Sequence, residues 1–219
     1  MTLFGTCRSL LCTALAAGAL LAPPPALAGA QVEEQLAPSV ASGLQRAIAD
    51  APIATGYINR ADLQPWLSEM SRRLSSRVPD ERDRRELLAT VHYEAQRAGL
   101  DPQLVLGVMH HESAFKKFAL SPVGARGYMQ VMPFWVKQIG TPDQNLFNLR
   151  TNLRYGCVIL RHYLDIEGGD LYRALGRYNG SLGRAEYPSA VVAAIGRYWH
   201  WDPPAGTNLG AATSPVAAR

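Results

Sequence analysis

Residues 101–112, D-P-Q-L-V-L-G-V-M-H-H-E, constrain the fold of this chain more than any other stretch. Asp101 can cap a helix, and Pro102 fits the first helical position, where no amide donor is needed. Leu104, Val105, Leu106, Val108 and Met109 then cover most of the circumference, the pattern of a helix buried by its neighbours. The pattern fails after Phe115, at Lys116-Lys117, so Glu112 falls in or near the last turn. A carboxylate there meets the negative end of the helix dipole and apolar neighbours, and both push its pKa upward. A carboxyl group held protonated near neutral pH is what a general acid requires. From position alone, the plain alternative is an exposed surface glutamate.

The chain then runs through a loop punctuated by Ser121, Gly124 and Gly127 and closes on Met129, Gln130, Met132 and Pro133, where another helix is expected to start. At the N-terminus, Arg8 supplies a positive charge, Leu10 to Leu21 an apolar core, and Ala26-Leu27-Ala28 a small-x-small cleavage pattern. Residues 1–28 therefore read as a secretory signal peptide cut after Ala28. Pro23-Pro24-Pro25 interrupts the apolar run before it reaches the roughly 20 residues a membrane span needs. Cys12 follows Leu10-Leu11, not the small residues of a lipidation site, so no stable membrane span or lipid anchor is expected.

Cleavage would leave Cys157 alone, in an apolar run with Val158, Ile159 and Leu160; this excludes an internal disulfide and suits a small core residue. No Cys/His cluster has metal-ligand spacing, and neither a metal nor another cofactor is expected. The formal net charge is +4, or +3 once Arg8 leaves with the signal; it suits an anionic envelope polymer but equally nucleic acid, and decides little.

Helical segments are expected over 60–77, with Leu63, Trp66, Leu67, Met70 and Leu74 at near-helical spacing, then from Leu87 to Ala98 after a charged bridge, Pro79 to Glu86. Further helices follow at Pro133–Ile139, from Thr151-Asn152 to Glu167, at Leu171–Tyr178 behind Asp170, and from Pro188 through Trp201. No alternating run argues for a substantial sheet; at most a small ribbon forms near Gly124–Val131. The expected architecture is mainly α. Its divisions are a signal peptide (1–28), an N-terminal helical extension (29–78), a main domain (79–201) and a tail (202–219) whose Ala, Pro, Gly and Thr content reads as disordered.

Glu112-Ser113, then S-P-V-G-A-R-G-Y-M-Q-V-M-P over 121–133, then Tyr178-Asn179-Gly180, in that order, resemble the catalytic domain of the soluble lytic transglycosylases. These are lysozyme-like enzymes that cleave peptidoglycan glycan strands, and the likeness extends over about residues 85–200. The resemblance implies Glu112 as the catalytic acid and Tyr178 as the tyrosine whose hydroxyl reaches it. It further implies that Ser113 steadies the carboxyl, that Ser121 and Gln130 contact sugar, that Asn179 contacts sugar or fixes the loop, and that Met132 forms an apolar wall. Met129 and Val131 are expected to face the core, as are Phe134 and Trp135. His110 and His111, adjacent on a helix and so pointing apart, read as structural or rim residues.

Glycosidases usually place two carboxylates about the scissile bond, and here the motif region offers Glu112 alone, with Glu186 as the nearby acid to weigh; its plain reading is an exposed loop residue before Pro188. In the implied reaction the sugar supplies the second group, its 6-hydroxyl closing on the anomeric carbon to leave a 1,6-anhydromuramic end. The alternatives are a muramidase that uses water, with Glu186 as second acid, or an idle glycan-binding scaffold of an envelope machine. Tyr128, Arg177 and the run Gly180-Ser181-Leu182-Gly183 depart from the family's common residues and leave the subsites open. Peptidoglycan strands are the expected partner, nucleic acid is not, and a periplasmic location is expected.

Overall fold

The computed structural model describes residues 31–49, 53 and 56–202. The expected signal peptide and all of the expected tail beyond Asp202 lie outside the described residues. Helices dominate, and the expectation of a mainly α architecture holds. Two isolated antiparallel bridges, Leu120 with Arg126 and Arg126 with Val131, are the ribbon foreseen in the glycine-bearing loop.

Helix α1 (Pro38–Ile48) starts at a proline, which needs no amide partner in the first turn. A 3-10 turn at Tyr57–Asn59 leads to α2 (Gln64–Leu74), which buries Trp66, Leu67, Met70 and Leu74. α3 (Glu81–Arg97) begins well before Leu87: Asp80 caps it by accepting from the Asp83 amide at 2.8 Å. Of the charged stretch 79–86, residues 81–86 are thus the outward-facing first turns of a helix, not a bridge, since charge on an outer helical face needs no loop.

α4 (Pro102–Glu112) carries the Asp101 cap, with the Gln103 amide 2.8 Å from its carboxylate, and buries every residue from Leu104 to Met109. α5 (Phe134–Ile139) is short and tucks Phe134 and Trp135 inward. α6 (Leu149–Ile166) is capped by Asn148, two residues earlier than expected, and α7 (Leu171–Asn179) by Asp170. α8 (Glu186–Ala194) then widens into a π-turn, Ile195–Trp199.

α4 lies against α3, α8 and the π-turn, while α6 packs on α3 and α7. Gly107 permits the α4–α8 approach, since a Cβ there would fall 2.5 Å from an Ile195 side-chain carbon and 3.3 Å from the Val191 carbonyl. One continuous apolar core runs from Leu44 and Leu67 through α3 and α4 to Trp199, so α1 and α2 share it with the later helices. Cys157 sits fully inside it. Within this core a bidentate pair, Arg154 to Glu94 at 2.7 and 3.0 Å, joins α6 to α3. Arg154 also donates to the Ala49 carbonyl at 2.9 Å, which fixes the end of α1.

The loop before α5 is fastened by Asn152, which had been expected merely to start a helix. Its carboxamide accepts from the Met129 amide and donates to the carbonyls of Arg126 and Leu146, each at 2.8 Å. Gly127, at φ 74°, passes so close that a Cβ would meet the Asn152 amide nitrogen at 2.5 Å. Replacing Asn152 by Ala leaves three backbone groups unpaired, and unsatisfied buried groups carry about 1–3 kcal/mol each before relaxation and water entry. Asn152→Ala is therefore expected to lower stability by at least about 2 kcal/mol in chemical denaturation. A loss under about 0.5 kcal/mol, the range of an ordinary surface change, would show that the loop holds without the clamp.

Candidate active site

Glu112 is the last residue of α4, and the chain turns sharply behind it. Ala114 and Phe115 both adopt positive φ, 48° and 67°, a region that side chains with a Cβ rarely occupy. The turn is held by Ser113, whose Oγ accepts from the Phe115 amide at 3.1 Å and donates to the Tyr128 carbonyl at 2.7 Å. The Phe115 ring is buried against His110 and Trp199. Packing thus supports a strained turn that sets the direction of the preceding carboxylate.

The Glu112 side chain keeps some access to solvent yet is closely surrounded by protein, and the surrounding atoms dominate its ionisation. Burial raises its pKa to about 7, against hydrogen bonds from Tyr187 and Asn179 that favour the charged form. The Tyr187 hydroxyl donates to Glu112 Oε1 at 2.6 Å. Burial, with the negative carboxylate beside it, pushes the Tyr187 phenol well above its usual range, so it remains a donor.

The structure corrects one expected contact. The Tyr178 hydroxyl donates to the Met129 carbonyl at 2.8 Å, and Tyr187 is the tyrosine on the carboxyl. Tyr178 is fully buried in α7 and faces the loop, whereas Tyr187 enters from the first turn of α8. Sequence reasoning passed over Tyr187 while weighing its neighbour Glu186; a tyrosine just ahead of a helix-starting proline was the available signal. His111 helps place it, with Nε2 2.9 Å from the Ala190 carbonyl and its ring against that of Tyr187. His110 instead stacks on Tyr198, with Arg77 3.5 Å from its Nε2, so both histidines brace the end of α4.

The other sequence candidates divide by what they touch. Asn179, buried at the end of α7, joins Tyr187 on the carboxylate. Ser113 bonds the backbone rather than the carboxyl, as above. The Ser121 Oγ accepts from the Ala125 amide at 3.0 Å, a bond that leaves its own proton uncommitted. Gln130 departs from its expected role as a substrate-binding amide: its Nε2 donates to the carbonyls of Ala119 and Gly127 at 3.1 and 3.0 Å. With φ at 48° and only 6% exposure, it stitches the loop from within. Met132 is half-buried at the edge of the core, and Met129 and Val131 are wholly inside it.

Glu186 is exposed in the first turn of α8, where a carboxylate complements the helix dipole. Among the described residues no group of three or more His, Cys, Asp or Glu side chains could hold a metal ion. A cavity of about 800 Å³ bordered by Tyr57, Thr90, Asn145 and Arg150 lies elsewhere and shares no residue with the Glu112 cluster.

Residues 89–191, just under half of the chain, match the family model described as "Transglycosylase SLT domain". A transglycosylase of Enterobacteria phage PRD1 is 36% identical over 108 residues, 49% of this chain and 40% of its own length. A membrane-bound lytic murein transglycosylase C of Haemophilus influenzae is 45% identical over 94 residues, 37% of this chain and 26% of its own length. The chain thus spans less than half the length of these relatives. Among solved structures, an inactive mutant of the lytic transglycosylase Slt from Pseudomonas aeruginosa aligns over 49% of this chain and 20% of its own. That alignment has 27% identity and a TM-score of 0.41.

The two tyrosines should separate experimentally. Acid catalysis by Glu112 would need its proton, so turnover should then fall as pH rises through about 7. The Tyr187 hydrogen bond holds that pKa down, so Tyr187→Phe should move the fall to higher pH. Tyr178→Phe should leave the pH profile in place and lower stability by about 1–3 kcal/mol, the cost of an unpaired buried carbonyl. Matching pH profiles for both variants would remove Tyr187 from the acid's surroundings.

Proposed function

We propose that this chain is an exported peptidoglycan lytic transglycosylase. It cleaves the β-1,4 bond between N-acetylmuramic acid and N-acetylglucosamine and leaves a 1,6-anhydromuramic end. The observation that carries this reading is one carboxyl, Glu112, poised near pKa 7 by burial while two hydrogen bonds stabilise its ionised form. A group with both forms accessible at neutral pH can serve first as acid and then as base.

Protonated Glu112 donates to the glycosidic oxygen as the bond to the anomeric carbon of muramic acid breaks. The freed N-acetylglucosamine end keeps that proton as its new hydroxyl hydrogen. Ionised Glu112 accepts hydrogen bonds from Tyr187 and Asn179 at this stage. It then takes the proton of the muramic 6-hydroxyl, whose oxygen bonds to the anomeric carbon and closes the anhydro ring. Glu112 ends protonated, as it began, and no water is consumed. Asn179 and Tyr187 act on the carboxylate, and Ser121 offers a donor at the loop. Tyr178, Ser113 and Gln130 fix the backbone around it. The exposed position of Glu186 favours this route over a muramidase with two working acids.

Export rests on the signal-like sequence of residues 1–28, and a periplasmic, envelope-associated location follows from it. No helix among the described residues is long and apolar enough to cross a membrane. In this reading residues 79–201 are the catalytic domain and 29–78 a supporting extension. N-terminal sequencing of the exported protein should begin at or near Gly29; a retained Met1 would refute processing.

The product decides the chemistry. Digestion of purified peptidoglycan should yield anhydromuramic ends by mass spectrometry, and reducing ends would establish the hydrolytic alternative. Glu112→Gln keeps size and polarity but removes the transferable proton. General acid–base catalysis contributes roughly 10²–10⁴-fold, so product release should drop at least about 100-fold. The variant should still be retained on insoluble sacculi. Near-normal release would place the acid elsewhere, with Glu186 the next residue to replace.

A further inference from the structure

The residues just ahead of α1 form an arm with no secondary structure of its own, and its first described residue, Gln31, is only 4% exposed. Gln31 is buried for a specific reason. Its Nε2 donates to the Gln130 carbonyl at 3.2 Å, and its Oε1 accepts from the Met132 amide at 3.0 Å. One carboxamide therefore occupies an adjacent donor and acceptor on the 130–132 backbone. The arm continues with Val32 to Gln35 exposed. Glu34 offers its carbonyl to Gln138 at 3.0 Å and its carboxylate to Arg177 at 3.1 Å. Leu36 returns to the core, and α1 begins. The arm thus bridges two elements that also hold the acid's surroundings: the loop fastened by Tyr178, and α7, which ends in Asn179.

We infer that residues 31–36 are a self-occupying strap, a stand-in for glycan that must leave the 130–132 edge before a strand can bind along it. The chemistry of the contact supports this. A carboxamide presents the same amide N–H and carbonyl oxygen as the acetamido groups that N-acetylated sugars carry. An acetamido carbonyl can take the Met132 N–H, and an acetamido N–H or a sugar hydroxyl can take the Gln130 carbonyl. The strap is also lightly held. Ahead of Leu36, its ties are the two Gln31 bonds, the Gln138 bond, and an ion pair with a half-exposed Glu34 carboxylate, of a kind worth little in water. A bound form so easily exchanged lowers apparent glycan affinity by the fraction of molecules in which the edge is free. This inference rests on the glycan-cleaving reading above and adds its regulation.

The test is the double variant Gln31→Ala/Glu34→Ala, which touches neither Glu112 nor its partners. Binding of tetra-N-acetylchitotetraose by calorimetry should tighten roughly three- to tenfold, the effect of losing two competing hydrogen bonds and a weak ion pair. KM for solubilised glycan strands should fall by a similar factor, with kcat unchanged. In the wild-type protein, the Gln31 side-chain amide resonances should move toward free-amide positions as the oligosaccharide is titrated. A plain structural brace would lower the melting temperature and leave affinity and these resonances where they were, and that result overturns the strap. Weaker binding by the variant also overturns it, since Gln31 would then be helping to hold sugar. If wild type and variant alike neither bind nor cleave glycan, the functional reading itself fails and the strap with it. Cleavage by both at equal KM removes the strap alone.

Discussion

The site depends on how one residue's backbone is gripped. Met129 gives its amide to Asn152 in α6 and its carbonyl to Tyr178 in α7, both at 2.8 Å, while its side chain is fully buried. Gly156 in α6 leaves the space for that side chain, since a Cβ there would fall 2.7 Å from Met129 Cβ. One residue earlier, the Tyr128 carbonyl receives the Ser113 hydroxyl from the turn behind Glu112. Three helices thus converge on two consecutive peptide units, so the loop and the end of α4 cannot shift independently. Buried hydrogen bonds of this kind contribute little net stability each, but leaving any one unmade is expensive, and the loop is held to one conformation.

That arrangement divides the work between two kinds of polar side chain. Asn152, Tyr178, Ser113 and Gln130 all spend hydrogen bonds on backbone groups. Asn179 and Tyr187 spend theirs on the carboxylate. The strained φ values at Ala114, Phe115 and Gln130 all follow Glu112 in the chain, in the segments these locks hold. The stable core of α3, α4 and α6 supports that strain, and the Glu94–Arg154 pair joins two of those helices from inside.

The helices were legible because their signals are local. Asp101-Pro102 and Asp170 cap where expected, and the apolar run of α4 is buried as its composition demands. Glu112 was legible for the same reason, being the carboxylate on which that run ends. The start of α3 was missed because a charged outer face looks like a linker when its buried face has not yet begun. Gln130 was given to the substrate and Tyr178 to the Glu112 carboxyl because residue type shows that a group can hydrogen-bond, not what it will bond. Whether an amide turns outward to sugar or inward to the Ala119 and Gly127 carbonyls depends on the loop's tertiary path. Tyr187 lies 75 residues from its partner, and only the packing of α8 on α4 brings the two together.

The balance at Glu112 follows from that same packing. Burial alone would raise the pKa and favour an acid that gives up its proton reluctantly. The hydrogen bonds from Tyr187 and Asn179 act in the opposite sense and favour the carboxylate. In the proposed cycle a single group donates and then accepts within one turnover, and either extreme would serve it poorly. Held near 7, it has comparable populations of both forms at neutral pH, so neither half of the cycle starts from a rare state. An enzyme with two carboxylates can give each its own environment and separate the pKa values. Here one carboxyl has both environments at once, apolar packing around it and two donors on it, and the donors come from helices that only the tertiary fold brings to the end of α4.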